Sequence, residues 1–285
     1  MQLFSININR HILRYDKPVV MGILNITPDS FYDDSRCFDS ISLSETVRTI
    51  IDEGADMIDI GGYSSRPGAG EVTVKEEIRR LHTGIKAVRQ ISPDIPISVD
   101  TFRSDAARAA VLDFGADIIN DISAGELDNK MFDTISELNV PYIIMHMRGT
   151  PANMQSQTDY SLQGGVTANI ITKLAEKTDR LEQCGVKDII VDPGFGFAKT
   201  TDQNFEILSN LQLICDTLSR PLLAGLSRKS MIYKTLDITP QESLNATSVL
   251  NTIALERGAS ILRVHDVAEA RQAVLLWEKT NIRNC

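Results

Sequence analysis

The chain has 285 residues, of which 42% are hydrophobic and 24% are charged, as in ordinary globular proteins. Its formal net charge of −9 argues against a general nucleic-acid or membrane-surface binder, because such proteins present a basic face. Cys37, Cys184, Cys215 and Cys285 share no metal-ligand spacing, so we expect free thiols in a reducing cytoplasm. Residues Met1–Arg10 contain no continuous apolar run, which predicts a first strand and neither a signal peptide nor a membrane span.

Eight short apolar runs follow one another along the chain, separated by amphipathic stretches. The runs are rich in Val, Ile and Leu and are bounded by Pro, Gly or Asp, which is typical of strands buried on both faces. In chain order they are Val19–Ile26, Met57–Ile60, Ile95–Val99, Asp117–Ile122, Pro141–Met147, Asp188–Asp192, Pro221–Leu226 and Ser260–Val264.

The stretches between the runs have helical periodicity. Several end in a glycine that fits a left-handed helix C-cap, namely Gly54, Gly115, Gly185 and Gly258. Eight strands that alternate with eight helices predict an α/β fold, a (β/α)8 TIM barrel, formed by residues 1–285 as a single domain. A doubly wound open sheet is the alternative, since strand order cannot be read from one sequence.

Almost every predicted strand ends in polar or glycine residues. One such residue alone is more often a helix cap or a turn residue than part of a site. In a (β/α)8 barrel, however, all these ends meet on one face, where active sites are built. The polar residues at the strand ends are Asn25, Asp59, Asp100, Asn120, Asp121, His146, Asp192, Arg228, Lys229, Arg263 and His265.

The strand-end residues and the loops beside them divide into two chemical groups. The cations are Arg66, Arg228, Lys229, Arg263 and His265, and the carboxylates are Asp100, Asp121 and Asp192. Arg and Lys near glycine-rich loops suit a phosphate or a carboxylate. Asp and Asn together suit a flat ring that carries several N–H donors. The residues therefore predict a substrate with one anionic end and one donor-rich heterocyclic end.

Longer motifs surround the same residues and occur in a characteristic order. They are Gly22–Phe31 (GILNITPDSF), Gly61–Gly68 (GGYSSRPG), Ser98–Thr101, Asn120–Asp121, Met145–Met147, Asp192–Phe197 (DPGFGF), Gly225–Ser230 (GLSRKS) and Arg263–His265. In these motifs the chain resembles the dihydropteroate synthase family from about Val19 to the last helix. The resemblance implies condensation of 6-hydroxymethyl-7,8-dihydropterin pyrophosphate with p-aminobenzoate to 7,8-dihydropteroate and pyrophosphate, in folate biosynthesis. It also implies Mg²⁺, a dissociative displacement and a homodimer.

The resemblance assigns expected roles to individual residues. The pterin would be bound by Asp100, Asn120, Asp192 and Lys229; the diphosphate by Asn25, Arg263 and His265; p-aminobenzoate by Phe31, Asp33, Ser65, Arg66, Pro67, Phe197 and Ser230. Asn25 would also bind the Mg²⁺, which prefers oxygen ligands and keeps several waters. Asp100, Asp192, Lys229 and Arg263 would be the catalytic residues. We further expect Asp266 to cap the last helix.

Some positions depart from the family pattern or remain open. Tyr63 stands where the family usually has Glu, Ser65 where it has Thr, and Tyr32–Ser35 where many members have a Gly-Gly pair. His146 fits a ligand and a packing residue beneath the pterin equally well. The successive apolar residues Val274, Leu275 and Leu276 could line a partner subunit or pack against the N-terminal strands.

Two other functions fit parts of the pattern. A pterin-binding methyltransferase domain is also a barrel with an Asp/Asn pterin pocket, but it would lack the Gly22–Phe31 signature and the Ser227–Ser230 segment. A non-catalytic paralogue would have lost phosphate or pterin residues, and those central to the expected site are present. Both rank below the synthase.

Overall fold

The computed structural model of the chain describes residues 4–8, 10–26, 40–63 and 72–281. Two strands at the N-terminus precede a series of parallel strands. Their bounds are β1 (Phe4–Ile8), β2 (His11–Tyr15), β3 (Val19–Asn25), β4 (Met57–Gly61), β5 (Ile97–Asp100), β6 (Ile118–Asp121), β7 (Tyr142–Met145), β8 (Ile189–Asp192), β9 (Leu223–Ala224) and β10 (Ile261–Val264). Each of the eight predicted apolar runs overlaps one of the strands β3 to β10, although β4 and β5 extend one residue beyond their runs and β9 is much shorter than its run.

Strands β3 to β10 form a closed parallel barrel. The order in the sheet is β8-β7-β6-β5-β4-β3-β10-β9, so the last strand returns to pair with the first. A parallel bridge between Val191 and Leu222 joins the two remaining edges. The predicted (β/α)8 TIM barrel is confirmed, and the open doubly wound sheet is wrong.

Helices follow the barrel strands and cover their outer faces. They are α1 (Ser40–Asp52), α2 (Val74–Ile91), α3 (Ser104–Arg108), α4 (Met131–Leu138), α5 (Val166–Gln183), α6 (Thr201–Ser209), α7 (Leu211–Leu218), α8 (Ser230–Leu236), α9 (Leu244–Glu256) and α10 (Val267–Thr280). The four predicted C-cap glycines all have positive φ, as expected for left-handed caps. Among the described helices, none is long and apolar enough to cross a membrane.

The N-terminal strands close one end of the barrel. The strand predicted within Met1–Arg10 is present as β1, but it pairs antiparallel with β2, which the sequence did not predict. Phe4 and Ile6 of β1 are buried against Met21, Met57 and other residues near the starts of the barrel strands. Among the described residues, the end of the barrel that remains uncovered by this hairpin is the opposite face, where the strands end.

Candidate active site

Four polar residues from four strands form one connected group at the open face. Arg263 of β10 donates from Nε to Asp59 Oδ2 of β4 at 2.6 Å and from Nη2 to Asp100 Oδ2 of β5 at 3.0 Å. Asn120 of β6 donates from Nδ2 to the same Asp59 oxygen at 3.1 Å. The barrel thus brings together Asp100, Asn120 and Arg263, three of the predicted site residues.

Asp59 links the members of this group, because both Arg263 and Asn120 donate hydrogen bonds to it. The site residues predicted from the sequence did not include it. Its side chain is fully buried, and its second oxygen has no hydrogen-bond partner in the described part of the chain. One signal was available: Asp59 interrupts the apolar run Met57–Ile60, and a buried carboxylate requires a cation or several N–H donors.

Burial shifts the protonation of the site carboxyls. It raises the pKa of Asp100 to about 7; the guanidinium of Arg263 opposes this shift, and the nearby Asp59 carboxylate adds to it. Burial also raises the pKa of Asp192, while the Gly194 N–H bond and the charge of Lys229 act in the opposite direction. The two carboxyls are therefore held in low-dielectric surroundings beside fixed cations.

Asp192 and Lys229 meet at the turn that follows β8. Gly194 N–H donates to Asp192 Oδ1 at 2.7 Å. The Lys229 Nζ lies 4.4 Å from the centre of the Phe197 ring, within the range of a cation–π contact. A Cβ on Gly196 would lie 3.3 Å from Lys229 Cδ, so the lysine stem packs directly on the turn.

The p-aminobenzoate prediction can be placed only in part. Phe197 lies beside Lys229, and Ser230 begins α8 immediately after it. The other predicted residues, Phe31, Asp33, Ser65, Arg66 and Pro67, lie outside the described residues.

Asn25 and His265 stand at the ends of neighbouring strands. The Asn25 amide oxygen lies 3.1 Å from the position of a Cβ on Gly61, and no described residue donates a hydrogen bond to it. His265 is more exposed; its Nδ1 is 3.1 Å from Ser227 Oγ, which also accepts the His265 backbone N–H at 3.2 Å. Partial desolvation of the imidazole, and next the cation of Arg263, lower the pKa of His265 below its usual value.

Three strand-end residues have partners outside this group. His146 is buried and contacts Asn169 Oδ1 through Nε2, so the packing interpretation describes it better than a ligand role. Asp121 accepts hydrogen bonds from Tyr142 and from the turn that follows β6. Arg228 forms a two-point ion pair with Asp266 at 3.0 and 2.6 Å.

The predicted capping role of Asp266 is wrong. This residue does occupy the position before α10, but its carboxylate makes no capping hydrogen bond to the helix. Both of its oxygens accept from Arg228 instead, because a guanidinium offers two parallel donors and a full charge.

Tyr63, which departs from the family pattern, is packed rather than solvated. Its ring meets Phe102 edge-on with the ring centres 5.3 Å apart. The guanidinium carbon of Arg103 lies 5.2 Å from the centre of the Tyr63 ring. The Tyr63 ring therefore makes a cation–π contact with Arg103.

Comparison with known proteins agrees with this arrangement. The family model for the pterin binding enzymes matches residues 21–265. The dihydropteroate synthase of Haemophilus influenzae is 39% identical over 274 residues, covering 95% of this chain and 97% of that protein. The chain belongs to the dihydropteroate synthase family of pterin-binding enzymes. As a dihydropteroate synthase family member it is an enzyme of the transferase class.

Other members of the dihydropteroate synthase family extend the comparison. A probable bifunctional folylpolyglutamate synthase/dihydropteroate synthase of Haloferax volcanii is 42% identical over 91% of this chain, which spans only 30% of that longer protein. The Xanthomonas albilineans dihydropteroate synthase with 4-aminobenzoic acid has a TM-score of 0.90 at 36% identity and covers 99% of this chain and 100% of that one. The same Xanthomonas enzyme in complex with 7,8-dihydropteroate has a TM-score of 0.86 at 34% identity, covering 98% of this chain and 100% of that one.

Proposed function

We propose that the chain condenses 6-hydroxymethyl-7,8-dihydropterin pyrophosphate with p-aminobenzoate, giving 7,8-dihydropteroate and pyrophosphate, in folate biosynthesis. The observation that carries this proposal is the group of Arg263, Asp59, Asp100 and Asn120, a cation among oxygen acceptors at the open face. Such a group suits a substrate with an anionic end and an N–H-rich ring. The Xanthomonas structures with 4-aminobenzoic acid and with 7,8-dihydropteroate support the choice of molecules.

The pterin ring would be bound by Asp100, Asn120, Asp192 and Lys229. The carboxylates accept hydrogen bonds from ring amino and N–H groups, and Lys229 donates to the ring carbonyl. Buried carboxylates also stabilise positive charge on the pterin methylene as the C–O bond to pyrophosphate breaks. We therefore propose a dissociative displacement in which Asp100, Asp192, Lys229 and Arg263 are catalytic.

Arg263 and His265 would bind the diphosphate. A guanidinium has five N–H donors, and Asp59 and Asp100 occupy two of them, so Arg263 retains donors for phosphate oxygens. Its ion pairs hold the cation in place before the substrate arrives, which avoids reorganisation as charge develops on the leaving group.

The surroundings of Asn25 fit a magnesium ion. Asn25 is partly exposed, its amide oxygen accepts no hydrogen bond from the described residues, and oxygen ligands suit this metal. No group of three or more His, Cys, Asp or Glu in the described ranges could hold a metal by itself, which matches an ion bound by one amide, waters and substrate phosphates. When bound, Mg²⁺ would offset the negative charge that grows on the departing pyrophosphate.

The p-aminobenzoate would bind over Phe197 and Ser230, with Phe31, Ser65, Arg66 and Pro67 completing the site. Its aromatic amine is neutral at neutral pH, so attack on the methylene needs no general base. We expect tight p-aminobenzoate binding only when pyrophosphate and Mg²⁺ are present, because loops that close over a first ligand commonly complete a second site. Equal affinity with and without them in calorimetry would contradict this order. Sulfonamides, which mimic p-aminobenzoate, should compete.

The proposed function is tested by mixing the purified protein with both substrates and Mg²⁺ and assaying dihydropteroate and pyrophosphate. We expect product that disappears with EDTA. In the Lys229→Ala variant, kcat/KM should fall on the order of 100-fold or more, as for loss of a transition-state contact. The control Lys234→Ala, at an exposed lysine of α8, should retain activity. Absence of product with pterin binding intact would contradict the proposal in favour of a methyltransferase or non-catalytic protein.

We also propose a homodimer formed through α9 and α10. Val274 of α10 is buried in the core, but Leu275 and Leu276 are 49% and 69% exposed and do not pack on the N-terminal strands. Leu276 shares a groove with Val249 of α9, which is 51% exposed. These residues form an apolar face on the outside of the barrel, and no other described element covers it.

The dimer proposal predicts that Leu276→Glu shifts the protein toward monomer in sedimentation equilibrium, because a charge would be buried in the interface. Leu112→Glu is the matched control, since Leu112 is 67% exposed at another site. A wild-type protein that is already monomeric at micromolar concentration would contradict the dimer.

A further inference from the structure

A buried ammonium lies behind the turn that supports Lys229. Lys199 is only 4% exposed, and its Nζ lies 2.9 Å from Gly194 O, 2.8 Å from Phe197 O and 3.2 Å from His146 O. Nζ also lies 3.1 Å from His146 Nδ1. Burying a charged amine costs free energy unless hydrogen bonds replace its water, and here several acceptors surround it.

The protonation of His146 agrees with a charged Lys199. The His146 Nε2 is 3.0 Å from Asn169 Oδ1, an acceptor, so Nε2 carries the ring proton. His146 Nδ1 is then an acceptor for Lys199. Burial, and next the charge of Lys199, lower the pKa of His146 to about 3, which keeps the ring neutral. Burial lowers the pKa of Lys199 to about 7, and the Asp192 carboxylate opposes that shift. The partners of Nζ, three carbonyl oxygens and His146 Nδ1, are all acceptors, and this geometry favours the ammonium form.

The turn held by this ammonium has an unusual backbone. Gly194, Gly196 and Ala198 all have positive φ, at 72°, 81° and 54°. A Cβ on Gly194 would lie 2.1 Å from His146 O, so the turn presses directly on the end of β7. Because Ala198 adopts a left-handed conformation that non-glycine residues rarely populate, and the two glycines have no strong backbone preference, the turn needs fixed external contacts to keep one shape.

Three features of the turn contact residues of the proposed site. Gly194 N–H bonds to Asp192, the Phe197 ring faces the Lys229 ammonium, and Gly196 lies under the Lys229 stem. The ammonium of Lys199 donates hydrogen bonds to the carbonyl oxygens of two of these turn residues, Gly194 and Phe197. Lys199 therefore contacts the same turn that carries Phe197 and packs against Lys229.

We propose that Lys199 is a positioning residue: without touching substrate, its buried ammonium fixes the 193–198 turn and so places Phe197 and Lys229 for p-aminobenzoate and pterin. This inference rests on the proposed function. The residues proposed for diphosphate, Asn25, Arg263 and His265, stand on β3 and at the end of β10, and none of them hydrogen-bonds to a described residue of the turn. Loss of the ammonium should therefore weaken the organic substrates and spare the diphosphate.

The experiment compares Lys199→Met with the wild type. The methionine side chain is of similar length but lacks the charge and the donors. We expect the KM for p-aminobenzoate to rise on the order of 10- to 100-fold, since small misplacements of binding groups have effects of that size. The affinity for inorganic pyrophosphate with Mg²⁺, measured by calorimetry, should stay within about twofold.

Two further variants control the result. Lys187→Met makes the same change at an exposed lysine before β8 and should leave both values unchanged. Lys199→Gln keeps N–H donors without a buried charge; it should rescue part of the loss, and it carries the test if the Met variant does not fold.

Three outcomes would overturn the inference. If the wild type is active and the Lys199 variants keep its KM for p-aminobenzoate, the inference fails while the proposed function stands. If the variants lose pyrophosphate binding to the same extent, the inference also fails, because that result would indicate general damage to the fold. Absence of product from the wild type would overturn the proposed function together with it.

Discussion

At the scale of single residues, Asp59 determines the geometry of the site. Its carboxylate is fully buried and serves both Arg263 and Asn120 through one oxygen. Arg263 in turn reaches Asp100. Removing one partner of a buried ion pair leaves an uncompensated charge and costs about 3–5 kcal/mol. We therefore expect Asp59 to orient Arg263 and Asn120, two side chains proposed to bind substrate, although we place it in contact with neither substrate.

The Asp59→Asn substitution should lower kcat/KM for the pterin pyrophosphate on the order of 100-fold, because the amide cannot balance the Arg263 charge. Steady-state kinetics and thermal unfolding would measure the effect. Asp56→Asn is a matched control: Asp56 also pairs with an arginine, Arg271, but on the other side of the barrel. Unchanged kinetics in Asp59→Asn would show that this carboxylate is not required.

The protonation of Asp100 gives a second prediction at this scale. Burial raises the pKa of Asp100 in the native state to about 7, whereas the pKa of an Asp side chain in an unfolded chain is about 4. Between these values the native state binds more protons than the unfolded state, so stability falls as pH rises through this window. In Asp100→Asn the slope of unfolding free energy against pH should be less negative by up to about 1.4 kcal/mol per pH unit. Urea unfolding at about pH 5 and about pH 7 measures this slope, and identical slopes would contradict the shift.

At the scale of elements, Arg103 connects the two ends of the loop between β4 and α2. Its Nη1 donates to Val72 O at 2.8 Å and to Glu77 Oε2 at 2.7 Å, and its guanidinium lies over the Tyr63 ring. Tyr63 precedes segment 64–71 and Val72 follows it. Arg103 therefore contacts the described residues on both sides of segment 64–71.

Replacing Arg103 by methionine should raise the KM for p-aminobenzoate on the order of tenfold and affect the pterin pyrophosphate less, since three proposed p-aminobenzoate residues lie in this segment. Arg108→Met removes an exposed ion pair with Glu137 and should change neither value. The ratio of the two KM values decides the question; a parallel rise in both would indicate a general effect on folding.

At the scale of the whole molecule, the N-terminal hairpin and the proposed active site lie at opposite ends of the barrel. The hairpin β1–β2 covers the end where the strands begin, and the proposed site occupies the end where they finish. A core residue of the hairpin can therefore be changed without moving a substrate contact.

Ile6 and Ile12 test this separation within one hairpin. Ile6 is 2% exposed and Ile12 is 65% exposed. Ile6→Ala should destabilise the protein by about 2–5 kcal/mol, and Ile12→Ala by no more than about 0.5 kcal/mol. Urea unfolding gives the free energies, and both variants should keep the KM values of the wild type. A change in KM for Ile6→Ala would mean that the two ends are coupled.

The sequence by itself determined the alternation of strands and helices and the polar character of the strand ends. Both depend on neighbours in the chain: apolar runs bounded by Pro, Gly and Asp, and glycines that end helices. The motifs around Asp100, Asn120, Asp192 and Arg263 also sufficed to indicate which residues belong together, because parallel strands in a barrel end on one face.

Only the tertiary structure decided barrel closure, the hairpin and the partners of buried polar groups. Asp59 meets Asn120 and Arg263, which are 61 and 204 residues away, and His146 meets Lys199, which is 53 residues away. Local patterns show that such a group must be paired but do not select its partner. That choice depends on which strands become neighbours, and burial then makes the pairing obligatory.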